Sequence, residues 1–331
     1  MRSPLITLRQ SDSGFSLPEL LIATAVMLII SATATSSLVE MTHSQQNIWN
    51  RTEMHSGVRS ATELLQQEIG QAGRVALPKS LKLQSAIAAG ASATAPVSAT
   101  ATPIPTTGTA TATVSGMFVN ELLTVGAGST EETVTVTAVS TANNTFTASF
   151  TSAHAANEPI RALGGFQTGI VPTNLLNGST VWKLKMFGDI NDDGSMVYVE
   201  YTCDTDAGKL YRNSMAFDTL PADKPSLATA MVLLSNIQPN PSMSGCFTYD
   251  QKTLTLTVNG VTSSYTFVID VAITLTVETQ NVDTITKEKQ KETKALLNVA
   301  PRNVFNVWEL ASDSVVARMQ PTPATVTALL P

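Results

Sequence analysis

Three groups of residues in this chain have the types and spacing to do chemistry. The first is a lone carboxylate. Glu19 stands at the mouth of an apolar run, and residues 20–39 carry no formal charge. A helix of about 20 such residues crosses one bilayer. An acid at its threshold is costly unless a cation meets it. The second is Asp189-Ile190-Asn191-Asp192-Asp193-Gly194 with Glu200 beyond it, which fits the pattern D-x-[DN]-x-[DN]-G-x5-E. That spacing turns the oxygens of Asp189, Asn191 and Asp193 inward, lets Gly194 make the sharp bend, and brings Glu200 to close a shell around Ca²⁺. The flanks read as strands, so this is not a helix–loop–helix site. A polar hairpin turn is the other reading, with Glu200 facing Lys183 or Lys185 across the hairpin. The third is the pair Cys203 and Cys246. An even count of cysteines favours one disulfide if this part of the chain lies in an oxidising compartment.

Other chemistries are missing. Two cysteines and three scattered histidines cannot supply a four-ligand Cys/His metal site. His43 and His55 fall on a helical stretch, where they are solvated or at subunit contacts, and His154 reads as a surface or turn residue. There is no G-x-S-x-G, no H-E-x-x-H, no phosphate-binding glycine loop and no Cys/His nucleophile pair. The chain is not expected to be an enzyme. Calcium is the one cofactor in question, and it would order a loop rather than take part in a reaction. A net charge of −6 argues against a general nucleic-acid surface.

These groups need elements to hold them. Beyond the apolar run, Met54, Val58, Ala61, Leu65, Ile69 and Ala72 recur at steps of three and four, which is helical periodicity with one apolar face. Arg51, Glu53, Arg59, Glu63, Gln66, Gln67 and Glu68 keep the other faces polar. No proline occurs between Pro18 and Pro78, and Gly70 and Gly73 mark an end. The spacing predicts one helix from Phe15 to about Gly73, roughly 88 Å long at 1.5 Å per residue. Residues 15–40 form its membrane half and 41–75 its amphipathic half, which needs a sheet to pack against.

Residues 83–120 contain no Lys, Arg, Asp or Glu and are rich in Ala, Thr, Ser, Pro and Gly. The stretch 76–115 therefore reads as a low-complexity linker. A small β unit follows over 116–165, with strands near 122–125, 132–139 and 145–150 and a turn at Asn143-Asn144. The region 166–315 alternates apolar and polar residues in runs around Trp182–Met186, Val197–Cys203, Leu254–Val258, Phe267–Val277 and Ala295–Val299. Period 2 predicts an antiparallel sheet with one covered face. The segment 316–331, with Pro321, Pro323 and Pro331, reads as a loose tail. The fold class expected is α+β: a long N-terminal helix packed on an antiparallel sheet, with an inserted small β module.

Two basic residues, Arg2 and Arg9, precede Gly14-Phe15-Ser16-Leu17-Pro18-Glu19-Leu20-Leu21-Ile22-Ala23. An ordinary export signal keeps its peculiar residues after the apolar run, and here they come before it. The segment resembles the class III leader of type IV pilins and type II secretion pseudopilins. The resemblance implies a leader of residues 1–14, cut by a prepilin peptidase between Gly14 and Phe15, with methylation of Phe15 and retention of the apolar helix. Removing Arg2, Arg9 and Asp12 with the leader takes the net charge from −6 to −7. It also implies that Glu19 neutralises a neighbouring subunit's N-terminal ammonium during assembly. The size of the remainder and the run Leu297-Asn298-Val299-Ala300-Pro301-Arg302-Asn303-Val304 look most like PilW-type minor pilins, with the J-type minor pseudopilin next. The implied partners are other minor and major pilins, the peptidase and an inner-membrane assembly platform. The implied location is the inner membrane, N-terminus cytoplasmic and the globular part periplasmic. The insert and the threonine-rich stretch also admit a tip-displayed binding module.

Overall fold

The computed structural model describes residues 14–77, 81–99, 114, 116–258 and 260–331, so the basic leader residues and residues 100–113 lie outside it. The architecture is mixed α+β. Helix α1 (Leu17–Gln71) runs unbroken for 55 residues, about 80 Å. Met54, Val58, Ala61, Leu65 and Ile69 are buried along it, the stripe that the periodicity predicts. Its C-terminal end is stitched down by backbone bonds. Gly73 N–H donates to Phe187 O at 2.9 Å, and Phe166 N–H donates to Gly73 O at 2.8 Å. Gly73 has φ +79°, and a Cβ on neighbouring Gly169 would stand 2.1 Å from the Gly73 Cα, so this joint requires glycine at both positions.

A closed barrel follows. Its strands are β1 (Leu81–Leu83), β2 (Gly90–Ala99), β3 (Leu122–Val125), β4 (Glu132–Ser140), β5 (Thr145–Phe150) and β6 (Pro159–Ala162), in the order β1-β2-β5-β4-β3-β6. Leu81, Leu83, Leu123, Val125, Val136, Phe146 and Ile160 fill the interior. The linker reading is corrected here, because residues 81–83 and 90–99 are barrel strands. A six-stranded barrel has a narrow interior, so small side chains such as Ala95 and Ala148 complete it beside a few large ones.

The rest forms two four-stranded antiparallel sheets and a short parallel pair. After β7 (Gly165–Phe166), the first sheet is β8 (Lys183–Gly188), β9 (Val197–Asp204), β10 (Lys209–Ala216) and β11 (Met231–Ser235), joined as consecutive neighbours. The second contains β12 (Ile237–Gln238), β13 (Phe247–Val258), β14 (Val261–Glu278) and β15 (Lys291–Val299), with the 18-residue β14 pairing all three others. One sheet was expected and two are found. The buried stripe of α1 lies in a single core with Leu184, Tyr201, Leu210, Phe247, Ile273 and Leu275, so the helix covers both sheets at once. Helix α2 (Arg302–Ser312) packs against β13 and β14 through Val304 and Val307 and donates from Asn303 Nδ2 to the open carbonyl of Gln71 at 3.1 Å.

The tail is also corrected. Residues 319–320 form β16 (Met319–Gln320), parallel to β7, and α3 (Ala324–Leu329) buries Val326 and Leu329. Pro323 is the N-cap of α3, where a missing N–H costs nothing, so the prolines do not loosen this segment. Gln320 also bridges the barrel neck. It accepts from Leu122 N–H at 2.9 Å and donates to Leu122 O and Leu163 O at 2.7 and 2.6 Å.

Candidate functional site

The first half of α1 is a site defined by lack of cover. Pro18 falls in the first turn, where its absent N–H is no loss. Glu19 follows it in that turn, where a carboxylate suits the positive end of a helix. Phe15 is 81% exposed, and the large apolar residues from Leu17 to Val39 are all exposed. None of the most apolar window is buried, and the helix is long and apolar enough to be a candidate membrane span. Threonine hydroxyls in this half find their acceptors within the helix. Thr24 donates to Leu20 O at 2.9 Å, Thr33 to Ile30 O at 2.9 Å and Thr35 to Ser31 O at 2.8 Å. Internal bonds of this kind are what a water-poor surrounding demands.

Between the bare half and the buried half, the loop after β14 climbs the helix. Asn281 Nδ2 donates to Asn50 Oδ1 at 3.2 Å, Thr284 N–H to Asn47 Oδ1 at 3.3 Å, and His55 Nδ1 meets Glu292 at 2.8 Å. His55 is thus tied within its own chain.

The buried half holds an acid that the periodicity did not assign. Glu68 is 4% exposed, not on a polar face. Arg212 of β10 clamps it with Nη2 to Oε1 at 2.6 Å and Nε to Oε1 at 3.0 Å, and Tyr201 donates its hydroxyl to Oε2 at 2.6 Å. Burial opposes the Arg212 charge, but the bonds and charge of Glu68 outweigh it and raise its pKa. The signal was present: Glu68 is three residues after Leu65, on the apolar stripe. Its partners on β9 and β10 left no trace in sequence.

The two cysteines form a disulfide. Cys203 on β9 and Cys246 before β13 are bonded with a Cα–Cα distance of 6.4 Å, which links the two sheets beneath α1.

The calcium ligand set is not assembled. Glu200 stands opposite Lys185 in the β8–β9 ladder, about 13 Å along the strand from Asp189 at ~3.3 Å per residue. Its Oε1 accepts from Tyr198 Oη at 2.7 Å and from Lys224 Nζ at 2.8 Å, with Lys185 Nζ 3.7 Å away. At the loop, the buried Asp189 carboxylate accepts the N–H groups of Asp193 at 3.0 Å and Gly194 at 3.4 Å, and Asp193 Oδ1 accepts from Ser195 N–H at 2.8 Å. A cation is already supplied: Arg74 approaches Asp189 at 3.6 Å and bonds Asp192. The side-chain oxygen of Asn191 therefore has no shell to join. This is the hairpin-turn reading, with Asp192 at φ 58° and Gly194 at φ 83° making the bend. Among the described residues, no three of His, Cys, Asp and Glu converge as a metal site.

His154, expected as a surface or turn residue, is 2% exposed at the barrel rim. Its Nδ1 meets Glu158 at 2.5 Å and its Nε2 meets Glu132 at 2.7 Å. Burial alone would lower the imidazole pKa, but bonds to Glu132 and Glu158 and their charges raise it. Glu132 and Glu158 are both held below the ordinary carboxylate value, Glu132 against the pull of burial and Glu158 chiefly by its bond to His154. At the barrel neck, Glu121 is fully buried and its Oε1 has no hydrogen-bond partner. Burial pushes its pKa up to about 8, despite a bond from Phe118 N–H. Comparison with family models, with curated proteins and with solved structures finds no match to this chain.

Proposed function

We propose that this chain is a minor pilin, a structural subunit that helps initiate and build a type IV pilus. In this reading a prepilin peptidase cuts between Gly14 and Phe15 on the cytoplasmic face of the inner membrane. The first half of α1 stays in the bilayer, with the barrel and sheets outside, until the subunit is drawn into a filament. The new ammonium at Phe15 then meets Glu19 of a neighbouring subunit, and the two charges neutralise each other in the water-poor filament core. Such a pair contributes register more than stability. Its partners are other pilins and the assembly platform, and the work is assembly rather than turnover.

One observation carries the reading. A single unbroken helix is bare and apolar over one half, with an acid in its first turn, and is built into a two-sheet core over the other. A plain membrane anchor does not require that rigid continuity, whereas a stem that packs among its copies does. The test is Glu19→Ala in the full chain. Leader cleavage, followed by the mass shift of the membrane fraction, should proceed normally, while incorporation into filaments falls at least about tenfold. Incorporation at the unaltered level would overturn the mechanism.

A further inference from the structure

The free strand edges of this protein are guarded unequally. An open edge offers unpaired N–H and C=O groups, and proteins blunt it by shortness, charge or cover. The edge strand β11 is five residues long. β15 carries Lys291, Glu292 and Lys294 along its length. The outer side of β8 is covered, with Val171 N–H donating to Lys185 O and Phe187 N–H to Gly169 O, both at 2.9 Å. β13 has these devices only over its first half, where Phe247 N–H donates to Val181 O at 3.0 Å and Asp250 and Lys252 carry charge. It is 12 residues long, its one strand partner among the described residues is β14, and residues 253–266 carry no charge.

The edge also matches itself. Thr253-Leu254-Thr255-Leu256-Thr257 reads the same in both directions about Thr255. The three threonines are exposed on one face, and the two leucines are half-buried on the other, toward α2. Laid antiparallel about a two-fold axis at Thr255, two copies set Thr253 opposite Thr257 and Leu254 opposite Leu256. Hydroxyl face then continues into hydroxyl face, and aliphatic face into aliphatic face. A slip of one residue sets Thr against Leu on both faces, and only the register centred on Thr255 pairs all five residues of the run with their like. The same register puts Lys252 opposite Val258 and Asp250 opposite Gly260, so no like charges meet.

We propose that the outer edge of β13 is a self-association site, through which two copies of this chain pair antiparallel about Thr255 and join their sheets. The contact is two-fold and closes on itself, so it adds to a head-to-tail filament and does not generate one. It stands whether or not the chain is a pilin.

The full chain in detergent micelles should sediment as a concentration-dependent dimer. Thr255→Lys sets two ammonium groups on the axis while leaving the exposed position free of any packing change, and should weaken dimerisation about tenfold or more. An unchanged melting curve for the variant checks its fold. Under mild oxidation Thr255→Cys should cross-link to itself. Thr253→Cys and Thr257→Cys should cross-link only when mixed, because like positions stand about 13 Å apart in this register. A monomer at every concentration overturns the proposal. So does a dimer that survives Thr255→Lys, which would be held by α1, or a Thr253→Cys that links to itself as readily as Thr255→Cys.

Discussion

The barrel and the sheet body each bury carboxylates against a cation, and they use different cations. In the sheet body Glu68 of α1 meets Arg212, whose guanidinium stays charged at any pH the protein encounters. In the barrel Glu132 and Glu158 meet His154, an imidazole whose charge depends on pH and whose pKa these two carboxylates raise. The first joint holds the long helix to the sheets. The second closes the rim of a module strung between Leu77 and Leu163. The difference teaches that the helix–sheet joint relies on a cation that does not titrate, while the barrel rim relies on one that does.

The comparison is broken most severely at the stem joint. Arg212→Met leaves Glu68 buried without its cation and should cost about 3–5 kcal/mol, read as a drop in the thermal midpoint of the sheet body with the barrel signal unchanged. A lesser loss at the guanidinium than at the imidazole would invert the contrast. Next is the disulfide between the sheets. Its loop of 43 residues predicts a loss of about 2–4 kcal/mol for Cys203→Ser with Cys246→Ser, by denaturant unfolding.

Glu121 sharpens the comparison from the other side, as a buried acid with no cation. Its folded pKa is raised, so it weakens folding progressively as pH climbs from the ordinary carboxylate value toward about 8. Glu121→Gln should therefore stabilise the protein by up to about 3 kcal/mol at neutral pH and by little near pH 4. A gain that does not grow with pH would show the carboxyl is not what strains the neck.

The smallest effect is at the barrel rim. His154 has a raised folded pKa, so its contribution is whole below the unfolded imidazole value, about 6.5, and is lost as pH rises through the folded value. Glu132 and Glu158 have depressed folded values, so theirs is present above the ordinary carboxylate pKa and lost as pH falls. Amide exchange in β4 and β5 should be slowest in the mildly acidic band between these limits, and His154→Gln should flatten that profile. Equal pH dependence in β9 and β10 would erase the distinction between the two bodies.

How much of this was legible varies with the kind of signal. Periodicity carried the stem: the steps from Met54 to Ile69 name the buried stripe, because a helix face is a one-dimensional property. Alternation carried β9 and β14 for the same reason. It failed at residues 81–99, where mostly small, uncharged side chains resemble a linker, although Leu81, Leu83 and Ala95 among them are buried in the barrel. It failed at Val326 and Leu329, where prolines imply looseness but Pro323 only caps the helix that buries both. Composition cannot tell these cases apart, since the same residues serve in both.

The loop at Asp189 marks the boundary most clearly. A motif specifies spacing along the chain, and Asp189, Asn191, Asp193, Gly194 and Glu200 all have the spacing. The β8–β9 register sets Glu200 opposite Lys185, where Lys224 also meets it, and away from that loop, while Arg74 supplies the cation beside Asp189. The sequence by itself determined the elements: one continuous helix with an acid in its first turn, strands of alternating character and a cysteine pair. Tertiary structure decided the partners: Glu68 with Arg212, His154 between two glutamates, and the helix across two sheets rather than one. Local patterning follows from backbone geometry and solvent over a few residues. A buried charge finds its counter-ion only after distant segments have been packed together, and no spacing records that.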